Sequence, residues 1–229
     1  MWLINSSVGR KVVMSITGAS LVLFLLFHAS MNLVAIISEE GYNMICEFLG
    51  ANWYALVATA GLAGLVVVHI LYAFFLTVQN YRARGSERYA VSANQKDVSW
   101  ASKNMLVLGI IVVLGIGLHL FNFWYKMQFA EILHMAGVAD VDVAKATDGV
   151  YWIKETFKNP YYFGAYMVWL AAIWFHLTHG IWSAMHSLGL NNGIWMKRIK
   201  FGSNALSTLV VLMFVAVAVF YYAKSLGVF

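Results

Sequence analysis

The chain has 229 residues, of which 62% are hydrophobic and only 11% charged, with a mean hydropathy of +0.73. A soluble domain of this length carries about 25% charged residues, so the composition points to a membrane protein. One proline and one cysteine exclude a disulfide framework within the chain. The formal charge of +5 gives no reason to expect a nucleic-acid partner; its distribution along the chain matters more.

Five apolar segments reach the length of about 20 residues that a bilayer requires. They cover residues 12–37, 53–80, 104–127, 160–186 and 205–223, and none contains Asp or Glu. The first follows Arg10 and Lys11 but is too long for a leader's apolar core and has no small-residue cleavage site, so it reads as a retained helix. The fourth has a clear start, with Asn159 as N-cap and Pro160 in the first turn. Cys46 falls in a short loop after the first segment and reads as an incidental thiol. Residues 127–159 read as an extramembrane connection with a short interfacial helix. There is no internal repeat, low-complexity tract or soluble domain. The expected fold is all-α, a single membrane-embedded domain over 1–229 with five transmembrane helices.

Loop charge sets the expected orientation, because Lys and Arg accumulate on cytoplasmic loops. One side collects Arg10, Lys11, Arg82, Arg84, Arg88, Lys96, Lys103, Lys197, Arg198 and Lys200. The other has Lys126, Lys145, Lys154, Lys158 and Lys224, diluted by Glu39, Glu40, Glu47, Glu131, Asp140, Asp142, Asp148 and Glu155. The N-terminus is therefore expected inside and the C-terminus outside. The basic inner face suits anionic membrane lipid or a soluble partner, although orientation alone also explains it.

Four histidines, one from each of four of these segments, lie at matching offsets: His28, His69, His119 and His176. At 1.5 Å per residue, His28 and His119 lie roughly 23–24 Å from the inner edge. His69 and His176 lie roughly 21–24 Å from the outer edge. In a hydrocarbon core about 30 Å thick, the two pairs occupy levels about 15 Å apart. A lone histidine in a membrane helix is ordinarily a helix–helix hydrogen-bonding group. Four in two depth-matched pairs suit two b-type haems, whose iron takes axial imidazoles from facing helices.

Gly61, Gly64, Gly115, Gly117 and Gly180 offer room near the histidines, though small residues also serve helix packing. Arg10, Lys11, Arg82 and Lys103 are candidate propionate partners at the inner level and Lys126 at the outer. His179, one turn beyond His176, is a candidate for a propionate or quinone contact, or an alternative to His176 as ligand. His186 and His134 need no special role.

The residues resemble a known family. The opening Ser6-Ser7-Val8-Gly9-Arg10-Lys11, the run Phe27-His28-Ala29-Ser30-Met31-Asn32, His69 with Tyr72, and His119 all contribute. The most specific stretch is Phe175-His176-Leu177-Thr178-His179-Gly180-Ile181-Trp182-Ser183. Over nearly the whole chain these are similar to the cytochrome b membrane anchor of succinate:quinone oxidoreductases and quinol:fumarate reductases, in its single-chain, five-helix, two-haem form.

The resemblance implies His176 rather than His179 as ligand, with His69 and His176 on a proximal haem and His28 and His119 on a distal one. It implies a flavoprotein subunit with FAD and an iron–sulfur subunit as partners, in a bacterial cytoplasmic (inner) membrane. The anchor would be the quinone-reactive subunit, with menaquinone the expected quinone. Glu47 would exchange protons with quinol, with Glu39 and Glu40 as competitors, and Asn32 would offer it a hydrogen bond. One departure is Trp174, where a branch of the family has a glutamate proposed to return protons; no predicted helix here has a carboxylate. Two rivals stand beside this: the di-haem cytochrome b of a hydrogenase or formate dehydrogenase, and a haem-free membrane protein.

Overall fold

The structure is a computed structural model describing residues 6–84, 99–138, 140–190 and 192–228. It is all-helical, with no strand among the described residues. Arg88 and Lys96, counted above in the basic inner loop, lie outside the described residues.

The first helix, α1, covers Ser7–Ile37 and is capped by Ser6, whose hydroxyl accepts the Gly9 N–H at 2.8 Å. Its hydroxyl residues Ser15, Thr17, Ser20 and Ser30 each donate to the carbonyl four residues back. Polar groups on a spanning helix are thereby satisfied within it, as hydrocarbon surroundings demand. A short α2 (Glu39–Phe48) follows, then α3 (Trp53–Arg84). After the short α4 (Trp100–Lys103), α5 (Met105–His119) continues into a π-turn over Leu120–Trp124.

Three short helices come next: α6 (Gln128–Met135), α7 (Val143–Thr147) and α8 (Gly149–Phe157). The chain ends with α9 (Pro160–Ser187) and α10 (Gly193–Ser225). Asn159 caps α9 through the Tyr161 N–H at 2.9 Å, with Pro160 in the first turn, as the sequence leads one to expect.

Among the described residues, four helices are long and apolar enough to cross a membrane: α1, α3, α5 with its π-turn, and α10. Large apolar side chains such as Leu23, Leu71, Leu114 and Leu212 face outward from them, as lipid-facing residues do. The fifth expected span, α9, has 28 residues and no charged side chain. Its Trp, Tyr and His residues lower its hydropathy, and it does not join the four by that criterion. It packs on α10, α1 and α5, while α3 packs chiefly on α1.

One expectation about the connections needs correction. The segment after α1 is not a loop but the helix α2, started by Ser38, which accepts the Gly41 N–H at 2.9 Å. Cys46 is thus helical and partly buried; its sulfur occupies the space a Cβ on Gly149 would need, and burial pushes its thiol up to about 11.

The 127–159 connection, expected to hold a short interfacial helix, holds α6, α7 and α8. Val150, Ile153 and Phe157 of α8 are buried with Ala35, Tyr42, Tyr166, Val217 and Tyr221 in one apolar cluster. Asn43 bridges α2 to α8, donating to Asp148 Oδ1 at 2.9 Å and accepting the Val150 N–H at 3.0 Å. These short helices form a cap over one end of the bundle.

Candidate functional site: two imidazole pairs

The helices bring the four histidines together in the expected pairs. His28 of α1 faces His119 of α5, with ring centres 5.8 Å apart and planes at 85°. His69 of α3 faces His176 of α9 at 6.5 Å and 67°. Two imidazoles on opposite faces of one metal, with bonds of about 2.0 Å and ring centres about 1.1 Å further on, stand about 6.2 Å apart. Both centre separations are therefore close to what an iron held between each pair would require. Among the described residues no three His, Cys, Asp or Glu side chains converge as a bare ion site would need; the imidazoles converge in twos.

The levels follow from one helix. Thr17 Oγ1 lies 3.1 Å from His69 Nδ1, which places His69 beside Thr17 on α1. His28 is eleven residues further along α1, so the pairs are separated by about 16 Å along it. The His28–His119 pair is the one near the cap.

Each pair has its own surroundings. His28 stacks on Phe24 at 5.3 Å and meets Phe214 at 5.7 Å. His119 meets Phe123 at 5.2 Å and Trp169 at 5.7 Å. Trp169 is fixed by its Nε1–H, which donates to the Val112 carbonyl at 3.0 Å. Its indole fills the space beside Gly115 that a Cβ would need. The room at Gly115 therefore admits a tryptophan and not, as the sequence suggests, a cofactor face. At Gly61, Gly64, Gly117 and Gly180 a Cβ would meet nothing within 4 Å.

The remaining candidates have definite places. Arg10 lies with its guanidinium over the Phe75 ring at 5.6 Å, two turns before Thr17 on the same face of α1. Lys126 lies over the rings of Phe121 and Trp152 at 5.5 and 5.0 Å. His179 packs edge-on to Trp182 at 5.0 Å, and the Nδ1 atoms of both His176 and His179 are buried without a hydrogen-bond partner. Trp174 donates to Thr208 at 2.9 Å and ties α9 to α10.

Asn32 is engaged within the protein. It donates to the His28 carbonyl at 2.8 Å and accepts from the Tyr42 hydroxyl at 3.1 Å. Glu47 is exposed on the cap and lines a shallow cleft with Glu40, Asn43 and Asp148. Glu39 is paired with Lys154 at 2.7 Å and Lys224 at 3.0 Å, and these cations hold its carboxyl below the ordinary range.

Sequence reasoning missed several groups. Thr17 is one, Trp169 another. Glu131 accepts the Ala51 N–H at 3.2 Å, and burial, helped by the charge of Glu47, raises its carboxyl above the ordinary range. Gln128 joins the cap to α3, accepting from Thr59 and from Trp124 Nε1 at 3.0 Å each and donating to the Gly50 carbonyl at 3.0 Å. Asn122, 0% exposed inside the π-turn, has a side-chain oxygen without a partner. A polar residue three positions past His119 is the only sequence signal for it.

Compared with known proteins, the chain matches no family model, no curated protein and no solved structure.

Proposed function

We propose that this protein is a di-haem cytochrome b, the membrane anchor and electron-transfer subunit of a succinate dehydrogenase or fumarate reductase complex. The observation that carries the di-haem reading is the meeting of four imidazoles from four helices as two facing pairs. The resemblance of the stretch around His176 carries the choice of complex. In this reading α9 is the fifth span, the N-terminus is cytoplasmic and the cap lies outside the bacterial inner membrane. His28 and His119 hold one haem b near the cap; His69 and His176 hold the other. Haem iron, when bound, supplies one-electron chemistry.

The chain's own residues bind and orient. Apolar packing around the imidazoles keeps water away from them, and Thr17 turns His69. Arg10 is the cation placed for a propionate at the inner level, and Lys126 is its counterpart at the outer. Glu47, exposed on the cap, is placed for proton exchange with quinol, expected to be menaquinol. The basic inner surface suits docking of an iron–sulfur subunit, and through it a flavoprotein with FAD.

A redox-titrated optical spectrum of the purified chain tests this. The expected result is two b-type haems, one lost in His28→Ala or His119→Ala and the other in His69→Ala or His176→Ala. Retention of both haems in any of these variants sinks the pairing, and absence of a reducible b-type band sinks the haem reading. Co-purified flavin with succinate oxidation separates this complex from a hydrogenase or formate dehydrogenase.

A further inference from the structure

We infer that Thr17 is a positioning residue for His69, fixing its tautomer so that Nε2 is the nitrogen free to ligate a metal. The role in metal binding rests on the di-haem reading above; the tautomer itself does not. Thr17 is 5% exposed, and its hydroxyl has a single proton to give. That proton is committed to α1's own backbone, to the Val13 carbonyl at 2.9 Å and the Met14 carbonyl at 3.1 Å.

The oxygen can then only accept in its 3.1 Å contact with His69 Nδ1. Nδ1 must therefore bear the ring proton, which leaves the lone pair on Nε2. The neighbouring Gly18 gives the ring its room: a Cβ there would come to 3.4 Å from His69 Cε1. Thr17 and Gly18 together form the seat of the imidazole.

The arrangement is specific to one of the four histidines. His176, facing His69, has a buried Nδ1 with no partner. Among the described residues neither His28 nor His119 makes a side-chain hydrogen bond, only ring contacts. A hydrogen bond from Nδ1–H raises the basicity of the ligating nitrogen and orients the ring. A more basic ligand favours ferric over ferrous iron, so the Thr17 bond lowers the potential of the haem it serves.

Two measurements on the full chain test this, with Thr17→Val and Thr17→Ser. Nitrogen-15 histidine NMR on haem-free protein should show His69 as the Nδ1–H tautomer in the wild type and in Thr17→Ser, and lose that preference in Thr17→Val. In haem-loaded protein, Thr17→Val should retain both haems. The ferrous-to-ferric ratio of one haem should rise about three- to tenfold at fixed potential, tenfold being about 59 mV for one electron. The other haem should not move, and Thr17→Ser should restore the first.

An Nε2–H tautomer of His69 in the wild type overturns the inference, as do unchanged potentials in Thr17→Val. If the wild type binds no haem, the di-haem reading fails, and the NMR result still decides what Thr17 does.

Discussion

The His28–His119 pair is set among aromatic rings, whereas the His69–His176 pair rests on a hydroxyl, a glycine and each other. Near the cap, Phe24, Phe214, Phe123 and Trp169 crowd the two imidazoles from several helices. At the other level α3 brings its histidine to the bundle while packing chiefly on α1, and Thr17 is the contact that turns the ring. Ring packing is non-directional and tolerates small rotations; a hydrogen bond to one nitrogen does not. The first pair is thus positioned by shape and the second by polarity, and each should fail to a different kind of substitution.

Gly115→Ala should have the largest effect of the changes that spare the ligands. Its methyl would enter the indole of Trp169, which is itself tied to Val112 on the same helix. Overpacking of this kind costs about 1–3 kcal/mol. The expected outcome is a lower melting temperature in detergent and loss or broadening of the haem band assigned to His28 and His119, with the other band intact. Equal disturbance of both bands would break the distinction between the two levels.

Asn122→Leu combined with Tyr166→Phe sharpens the same distinction from the opposite direction. Asn122 is fully buried beside the cap-end pair, with one 3.4 Å bond to Tyr166 and an unpartnered oxygen. Replacing both partners of a weak buried hydrogen bond with apolar groups of similar size is near neutral or stabilising, and Tyr166→Phe beside Asn122→Leu leaves no hydroxyl without its partner. Thermal melting should therefore show a change within about 1 kcal/mol of zero or in favour of the variant, and the cap-end haem should keep its potential. A large loss of stability would mean that polarity matters at this level too.

The pairing was legible in the sequence because helical rise is fixed: counting residues from the apolar boundaries put His28 with His119 and His69 with His176. Apolar runs, however, mark where lipid lies and not where helices stop. The polar stretches of α10 before residue 205 and of α3 beyond residue 80 remain helical, since a helix satisfies its own backbone in water as well as in lipid. The cap was read only in part, and α2 as a loop, for a related reason. Ser38, Asp142 and Asp148 all start short helices, but their apolar faces are too short to stand out beside spanning segments. Thr17 was invisible because its partner lies 52 residues away, and nothing local distinguishes it from Ser15 or Ser20, which bond only to their own helix.

Glu131 should give the smallest effect, confined to the cap. Its carboxylate accepts from Ala51 and lies against Gly50. Burial raises its pKa, the charge of Glu47 adds to this, and the Ala51 bond opposes it. A carboxyl raised on folding favours the folded state while both states are protonated, below the ordinary value. That advantage is lost as pH rises toward the raised folded value. Glu131→Gln removes the ionisation and retains an acceptor oxygen for the Ala51 N–H. The variant should therefore melt above the wild type at neutral pH and together with it at acid pH, while both haem potentials stay in place. A variant that melts below the wild type at neutral pH would show that the Ala51 bond outweighs burial. A shifted haem potential would show instead that the cap reaches into the His28–His119 level, and that this pair is positioned by more than the rings around it.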